Sequence, residues 1–169
     1  LELHKEYVDM CIDLGIDGIR ADVARAKPVE FWDIIIPYSR MRDPEFGWLG
    51  ETYTYEDASP QANMPYDRPE DSLRAGFDTI YGQYHIFHEW PDATTFIDYI
   101  KEQLDMSYKL PKGKALIGSF ATHDDISPMY HGGADYCNLT MGLQATLPML
   151  SPYIVDGYQS GDKYSYPYE

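Results

Sequence analysis

Short apolar runs that alternate with helical patterns constrain the fold of this chain more than any other feature. The five runs are Asp17–Asp22, Phe46–Glu51, Gly76–Gly82, Lys114–Phe120 and Ser151–Gly157. Strands that are separated by helices pair side by side in parallel. The alternation therefore predicts an α/β fold with parallel strands.

The segments between the runs show the apolar spacing of helices. The predicted helices are Leu3–Leu14 with Gly15 as its stop, Val29–Ile36 ended by Pro37, Phe96–Leu104 behind a cap at Thr94 or Thr95, and Asn138–Leu150. Proline is expected to end the second helix because it lacks a backbone N–H and clashes with the preceding turn. The polar stretch from Thr52 to about Arg74 fits no period and is predicted to be a long loop.

Three carboxylates lie at or just beyond the C-terminal ends of predicted strands. They are Asp22, Glu51 and Asp124. In barrels and open parallel sheets this edge holds the chemistry. The length of chain from Asp22 to Glu51 suits one βα repeat, and that from Glu51 to Asp124 leaves room for two. We therefore expect the three carboxylates to converge at one end.

Carboxylates held close together take different protonation states, because adjacent like charges cannot all ionise cheaply. One then serves as an acid and another as a nucleophile, as in retaining glycosidases, whose two carboxyl groups lie about 5–5.5 Å apart. Arg20 shares a strand face with Asp22 and would hold that aspartate charged and aligned. His123, beside Asp124, could donate a hydrogen bond to a substrate hydroxyl.

Three short motifs resemble those of the alpha-amylase family, glycoside hydrolase family 13, in the same order. They are "GIRAD" (Gly18–Asp22), "GWLGE" (Gly47–Glu51) and "FATHDD" (Phe120–Asp125). The resemblance implies a partial (β/α)8 TIM barrel of about strands four to eight. It also implies that residues 1–169 form a single segment of the catalytic barrel with its N-terminal strands absent.

The resemblance also assigns roles to individual residues. Asp22 would be the nucleophile, Glu51 the general acid/base and Asp124 the carboxylate that stabilises the transition state. Arg20 would match the arginine that contacts the nucleophile, and His123 the histidine that contacts the substrate. "THD" stands where Asn-His-Asp is commoner, and Asp125 is an alternative to Asp124 as the third carboxylate.

Aromatic residues near the second motif are candidates for stacking on sugar rings. Trp48 and Tyr53 are the leading candidates, and core or groove packing is the alternative for both. The family resemblance implies that the substrate is an alpha-glucan such as starch, maltodextrin or a related oligosaccharide. It implies no cofactor, and a calcium site in the complete protein would have its ligands outside this segment.

A formal net charge of −15 argues against nucleic-acid and membrane-surface partners, because both carry negative charge. The expected macromolecular partner is the missing N-terminal part of the barrel or a second chain that supplies it, since the chain starts at Leu1 inside a helical pattern. Cys11 and Cys137 lie on apolar helical faces and are predicted to pack in the core.

Three alternatives to a glycoside hydrolase stay open at this point. One is a non-catalytic carbohydrate-binding or scaffold barrel, and another is a transglycosylase of the same family. The third is a metal-dependent hydrolase that uses His85, His123, Asp124 and Asp125. The spacing of His85, His88 and Glu89 only suggests a metal site, and the histidines are expected to be surface or hydrogen-bonded residues.

Overall fold

The structure, a computed structural model, describes residues 1–52, 69–81, 92–118, 122–124, 127–147 and 150–163. The chain divides into two compact units. Unit 1 comprises Leu1–Tyr81 with Pro111–Lys114, and unit 2 comprises Gly82–Leu110 with Ala115–Glu169. The prediction of a single segment over residues 1–169 stays a prediction.

Unit 1 alternates helices with three parallel strands. Its elements are α1 (Glu2–Asp13), β1 (Gly18–Ala21), a 3-10 turn (Ala24–Ala26), α2 (Val29–Arg42), β2 (Gly47–Gly50), α3 (Pro69–Ala75) and β3 (Thr79–Tyr81). β2 pairs in parallel with β1 on one side, where Ala21 is opposite Gly50, and with β3 on the other. Helix α3 occupies the last part of the stretch from Thr52 to about Arg74, which was predicted to be a loop throughout.

Two glycines fix the start of this unit. Gly15 follows α1 with a φ of 78°, and its N–H donates to the Ile12 carbonyl at 2.9 Å, which ends the helix where the sequence predicted. Gly18 opens β1, and a Cβ there would lie 2.6 Å from the Gly47 carbonyl oxygen. Only glycine permits that approach of the two strands.

Aromatic rings fill the space between the strands and α2. Trp32, Phe46, Trp48 and Phe77 are all buried and meet edge to face, with the ring centroids of Trp32 and Phe77 4.9 Å apart. Such edge-to-face pairs add to the energy gained by burying the ring area. The core thereby fixes the positions of β1 and β2 relative to α2.

Helix α2 does not end at Pro37, so that prediction is wrong. The helix continues to Arg42 with the proline inside it. Ile35, Ile36 and Ser39 are buried on the face of α2 that packs in the core. Packing on both sides of the proline therefore outweighs the one backbone hydrogen bond that it removes.

Unit 2 contains the remaining elements, α4 (Ala93–Lys109), β4 (Ala115–Gly118), α5 (Met129–Thr146) and β5 (Leu150–Pro152). β4 and β5 pair in parallel, with Gly118 opposite Pro152. β5 begins one residue earlier than predicted and ends at Pro152, five residues before the predicted end. Helix α5 starts earlier than predicted, at Met129, and contains a kink at Gly132 and Gly133.

The cap of α4 is Asp92 rather than a threonine. Its Oδ1 accepts a hydrogen bond from the Thr95 N–H at 2.8 Å, and that backbone hydrogen bond lowers the pKa of Asp92. The predicted cap position was wrong because the threonines there act as donors to the aspartate, which is itself a preferred N-cap residue.

The predicted α/β class with parallel strands is confirmed. Cys11 and Cys137 are buried and unpaired, as expected for core residues. No helix in the described ranges has the length and apolar character needed to cross a membrane.

Candidate active site

The register of β1 and β2 places Arg20 and the carboxylates that follow the two strands on one face. Arg20 lies opposite Leu49, and Ile19 lies opposite Trp48. Because side chains alternate along a strand, Arg20 shares its face with Leu49 and with Glu51, the residue that follows β2. Asp22 likewise follows β1 directly. The sequence predicts that Asp22, Glu51 and Asp124 converge at the C-terminal strand ends. Asp22 and Glu51 follow adjacent strands, and their convergence with Asp124 stays a prediction.

The Arg20 guanidinium contacts both carboxylates at once. Its Nη1 donates to Oδ1 of Asp22, and its Nη2 lies 2.9 Å from Oε2 of Glu51. The Glu51 side chain is 11% exposed, whereas that of Asp22 is 73% exposed. One cation therefore joins a buried carboxylate to an open one.

Several groups act on the charge of Arg20, whose side chain is 27% exposed. Burial alone would lower its pKa. The negative charge of Glu51 acts in the opposite direction, as do the hydrogen bonds with Asp22 and Tyr81, and together they raise the pKa of Arg20 above its ordinary value. The guanidinium therefore stays charged and remains a fixed positive group between the two carboxylates.

A second donor reaches the buried carboxylate from the backbone. The Val23 N–H donates to Oε2 of Glu51 at 2.7 Å. Val23 adopts a left-handed conformation with a φ of 43° and a ψ of 47°. No sequence signal predicts this contact, because a β-branched residue is the type least expected to adopt that conformation.

Of the two predicted stacking residues, Trp48 and Tyr53, the structure describes only Trp48. Trp48 lies on the opposite strand face from Arg20 and is buried in the aromatic core, where its indole N–H donates to Ser39 Oγ at 2.9 Å. In this position it packs between β2 and α2 and is not brought to Glu51. Tyr53 lies outside the described residues.

His123 and Asp124 lie in unit 2, in the short described segment after β4. His123 Nε2 is 3.5 Å from Oδ1 of Asp124, and His123 Nδ1 is 3.4 Å from the hydroxyl of Tyr153. The Asp124 N–H donates to the Thr122 hydroxyl oxygen at 3.1 Å. Tyr153 directly follows β5 and was not predicted from sequence, because only the strand pairing brings it to His123.

Comparison with solved structures identifies the fold. The chain matches an alpha-amylase from Lactobacillus plantarum with a TM-score of 0.77 and 19% identity, over 96% of this chain and 40% of that one. The fold is that of part of an alpha-amylase barrel. The chain spans between about a third and two fifths of the length of the solved structures that it matches.

Two further matches have the same alpha-amylase-type fold. The cyclic alpha-maltosyl-(1→6)-maltose hydrolase from Arthrobacter globiformis has a TM-score of 0.70 and 16% identity, over 96% of this chain and 36% of that one. The debranching enzyme from Nostoc punctiforme has a TM-score of 0.66 and 21% identity, over 94% and 36%. No protein-family model matches the chain, and a search of the curated proteins gave no match.

Metal binding finds no support among the residues that the structure describes. Within those ranges no group of three or more histidine, cysteine, aspartate or glutamate side chains could hold a metal ion. His85, His88, Glu89 and Asp125, which the metal hypothesis would use, lie outside those ranges. In unit 1, Asp22 and Glu51 both contact the Arg20 guanidinium, and Glu51 also accepts a hydrogen bond from the Val23 N–H.

The arrangement of Arg20, Asp22 and Glu51 suits covalent catalysis by two carboxyl groups. An exposed carboxylate that contacts an arginine is accessible to a substrate and has a positive group beside it. A buried carboxyl held at one oxygen has a defined orientation, as proton transfer to a substrate requires.

Proposed function

We propose that this chain carries the nucleophile and the acid/base of a retaining glycoside hydrolase that acts on alpha-glucans. The observation that carries the proposal is the Arg20 guanidinium, which holds Asp22 and Glu51 at the ends of adjacent parallel strands. The fold shared with an alpha-amylase and with a maltose-oligosaccharide hydrolase supports the choice of substrate.

In the proposed first step, the Asp22 carboxylate attacks the anomeric carbon while the Glu51 carboxyl gives its proton to the departing glycosidic oxygen. A covalent glycosyl ester on Asp22 results. In the second step Glu51 takes a proton from water, and the resulting hydroxide attacks the anomeric carbon and releases Asp22. The configuration at that carbon is inverted twice and so retained.

Asp124 as the carboxylate that stabilises the transition state, and His123 as a substrate contact, stay predictions from their motif. Tyr153 joins them in the proposal, because its hydroxyl faces His123 Nδ1. Tyr53 remains a proposed stacking residue on the strength of the sequence alone.

The test uses the full-length polypeptide that contains this chain. Glu51→Gln and Asp22→Asn should each lower the release of reducing sugar from starch or maltodextrin by at least about 100-fold. Glu45→Gln and Asp13→Asn, two exposed carboxylates of unit 1, are matched controls that should keep full activity. The anomeric product, followed by NMR before mutarotation, should retain the α configuration.

Each alternative function gives a different result in this test. Unchanged cleavage in Glu51→Gln would overturn the assignment. A polypeptide that binds maltodextrin but releases no sugar, even before substitution, would indicate a non-catalytic binding barrel. Transfer of the glycosyl group to a second sugar in preference to water would indicate a transglycosylase.

We also propose that unit 1 packs against further βα units of a barrel, supplied by the same polypeptide or by a second chain. Helix α1 exposes Leu3, Tyr7 and Met10, and Leu14, which directly follows the helix, is exposed as well. An apolar face of this kind on a soluble protein marks a contact surface. In the full-length polypeptide, Leu3→Ser should therefore lower the free energy of unfolding by more than about 1 kcal/mol. Met41→Ser, at an exposed residue of α2, should lower it by less than about 0.5 kcal/mol. Equal effects would contradict this proposal.

A further inference from the structure

The turn after β1 holds Val23 in a backbone conformation that valine seldom adopts. With a φ of 43°, it is the one residue other than glycine with a positive φ among those described. The side chain is 42% exposed, so its packing does not account for the conformation. Glycine would adopt the same turn without steric cost. A strained residue at such a place points to a functional constraint.

Contacts on either side hold the turn in place. The Val23 carbonyl accepts a hydrogen bond from the Ala26 N–H at 2.8 Å. The carbonyl of Ala24, which is fully buried, accepts one from the Trp32 indole at 3.0 Å. Trp32 belongs to the aromatic core, so the core itself fixes the turn. Strain persists where the surroundings over-determine the backbone in this way.

The left-handed turn directs the Val23 N–H at the Glu51 carboxyl group. The N–H donates to Oε2 at 2.7 Å, and the same oxygen lies 2.9 Å from Arg20 Nη2. Two donors on one oxygen restrict rotation of the carboxyl group about its last bond. The other oxygen, Oε1, therefore has a fixed direction.

We propose that Val23 is a positioning residue for Glu51, whose acid/base carboxyl group it orients through its backbone N–H for proton transfer to the departing sugar oxygen. The inference rests on the proposed function. It concerns the N–H and the turn that aims it, and assigns no role to the valine side chain. Proton transfer depends steeply on such alignment.

The direct test replaces the amide at position 23 by an ester in the full-length polypeptide, using the α-hydroxy analogue of valine. The side chain is kept, and the N–H donor becomes an oxygen that cannot donate. We expect kcat/KM for maltodextrin to fall roughly 10- to 100-fold. For α-maltosyl fluoride we expect a fall of less than about threefold, because fluoride departs without needing a proton.

A matched control places the same ester at position 27. The Lys27 N–H belongs to the same turn but donates to the Ala24 carbonyl, at 3.2 Å. This variant should stay within about twofold of the unmodified protein on both substrates. It separates the loss of one particular donor from general disturbance of the turn.

The substrate comparison decides between the outcomes. A loss confined to maltodextrin supports the positioning role. Equal losses on both substrates would overturn it, because they would show that the N–H has a merely structural role. No loss on either substrate would overturn it as well. Loss of activity in Glu51→Gln with an unaffected position-23 ester would refute only this inference. Cleavage that survives Glu51→Gln would refute the proposed function itself.

Discussion

Among the residues that the structure describes, the candidate site residues of unit 1 have shorter polar contacts than those of unit 2. In unit 1, one oxygen of Glu51 has donors at 2.7 and 2.9 Å, and one of these donors is the guanidinium that also contacts Asp22. In unit 2, the contacts of His123 measure 3.4 and 3.5 Å, and its side chain is partly exposed.

The difference matches the tasks proposed for the two groups. A nucleophile and an acid must meet a reacting bond within a narrow geometry, which requires support from fixed neighbours. A group that contacts substrate hydroxyls can complete its hydrogen bonds when the sugar is present. We therefore expect substitutions of the candidate site residues in unit 1 to affect stability and catalysis together, and those of the candidate site residues in unit 2 to affect catalysis alone.

Arg20→Met should have the largest effect. The substitution leaves the buried Glu51 carboxylate without its cation, which should lower the free energy of unfolding by about 2 kcal/mol. It should also lower kcat/KM by about 100-fold or more, because both carboxylates lose a common anchor. Denaturant unfolding and maltodextrin hydrolysis measure the two effects. Arg74→Met, at an exposed arginine of α3 with weak ion pairs, should leave both within error.

Arg20→Lys separates the charge of Arg20 from its geometry, since lysine keeps the charge but cannot contact two carboxylates in a fork. Most of the catalytic loss should remain. Full activity in the lysine variant would show that only charge matters, and would remove the contrast between the units.

Asp124→Asn should have the next largest effect, and on activity alone. We expect kcat to fall by about 100-fold if Asp124 stabilises the transition state. The free energy of unfolding should change by less than about 0.5 kcal/mol, because the contact of the Asp124 side chain within the described ranges is a 3.5 Å approach to His123. Destabilisation as large as that of Arg20→Met would contradict the comparison.

Tyr153→Phe should have the smallest effect. It removes the hydroxyl that lies 3.4 Å from His123 Nδ1 and leaves the ring in place. We expect KM for maltodextrin to rise about two- to fivefold with kcat nearly unchanged, because only a substrate contact is loosened. Tyr108→Phe, at an exposed tyrosine of α4, is the control. A fall in kcat with constant KM would assign Tyr153 a different role.

For β1 and β2, the sequence was sufficient to predict the strand ends to within one residue and the carboxylates that lie there. Asp22 and Glu51 come directly after β1 and β2, because strand periodicity and the order of strands and helices are local properties. Gly15 could be recognised as a helix stop for the same reason.

Other features depend on contacts between distant residues and could not be predicted. Helix α2 continues through Pro37 because its buried face packs in the core, a balance that no local rule contains. The turn at Val23 depends on Trp32, which binds the Ala24 carbonyl from the next helix. Trp48 looked like a sugar-binding residue because composition cannot distinguish the two faces of a strand.

Trp32 has an optical consequence. Its indole N–H is bonded to the carbonyl that follows Val23, and its ring packs against Phe77. Indole emission responds to the polarity and hydrogen bonding around the ring, so a fluorophore bonded to the turn that supports Glu51 is already part of the chain. Unfolding of that turn by denaturant should therefore register as a shift in emission wavelength without attachment of a dye.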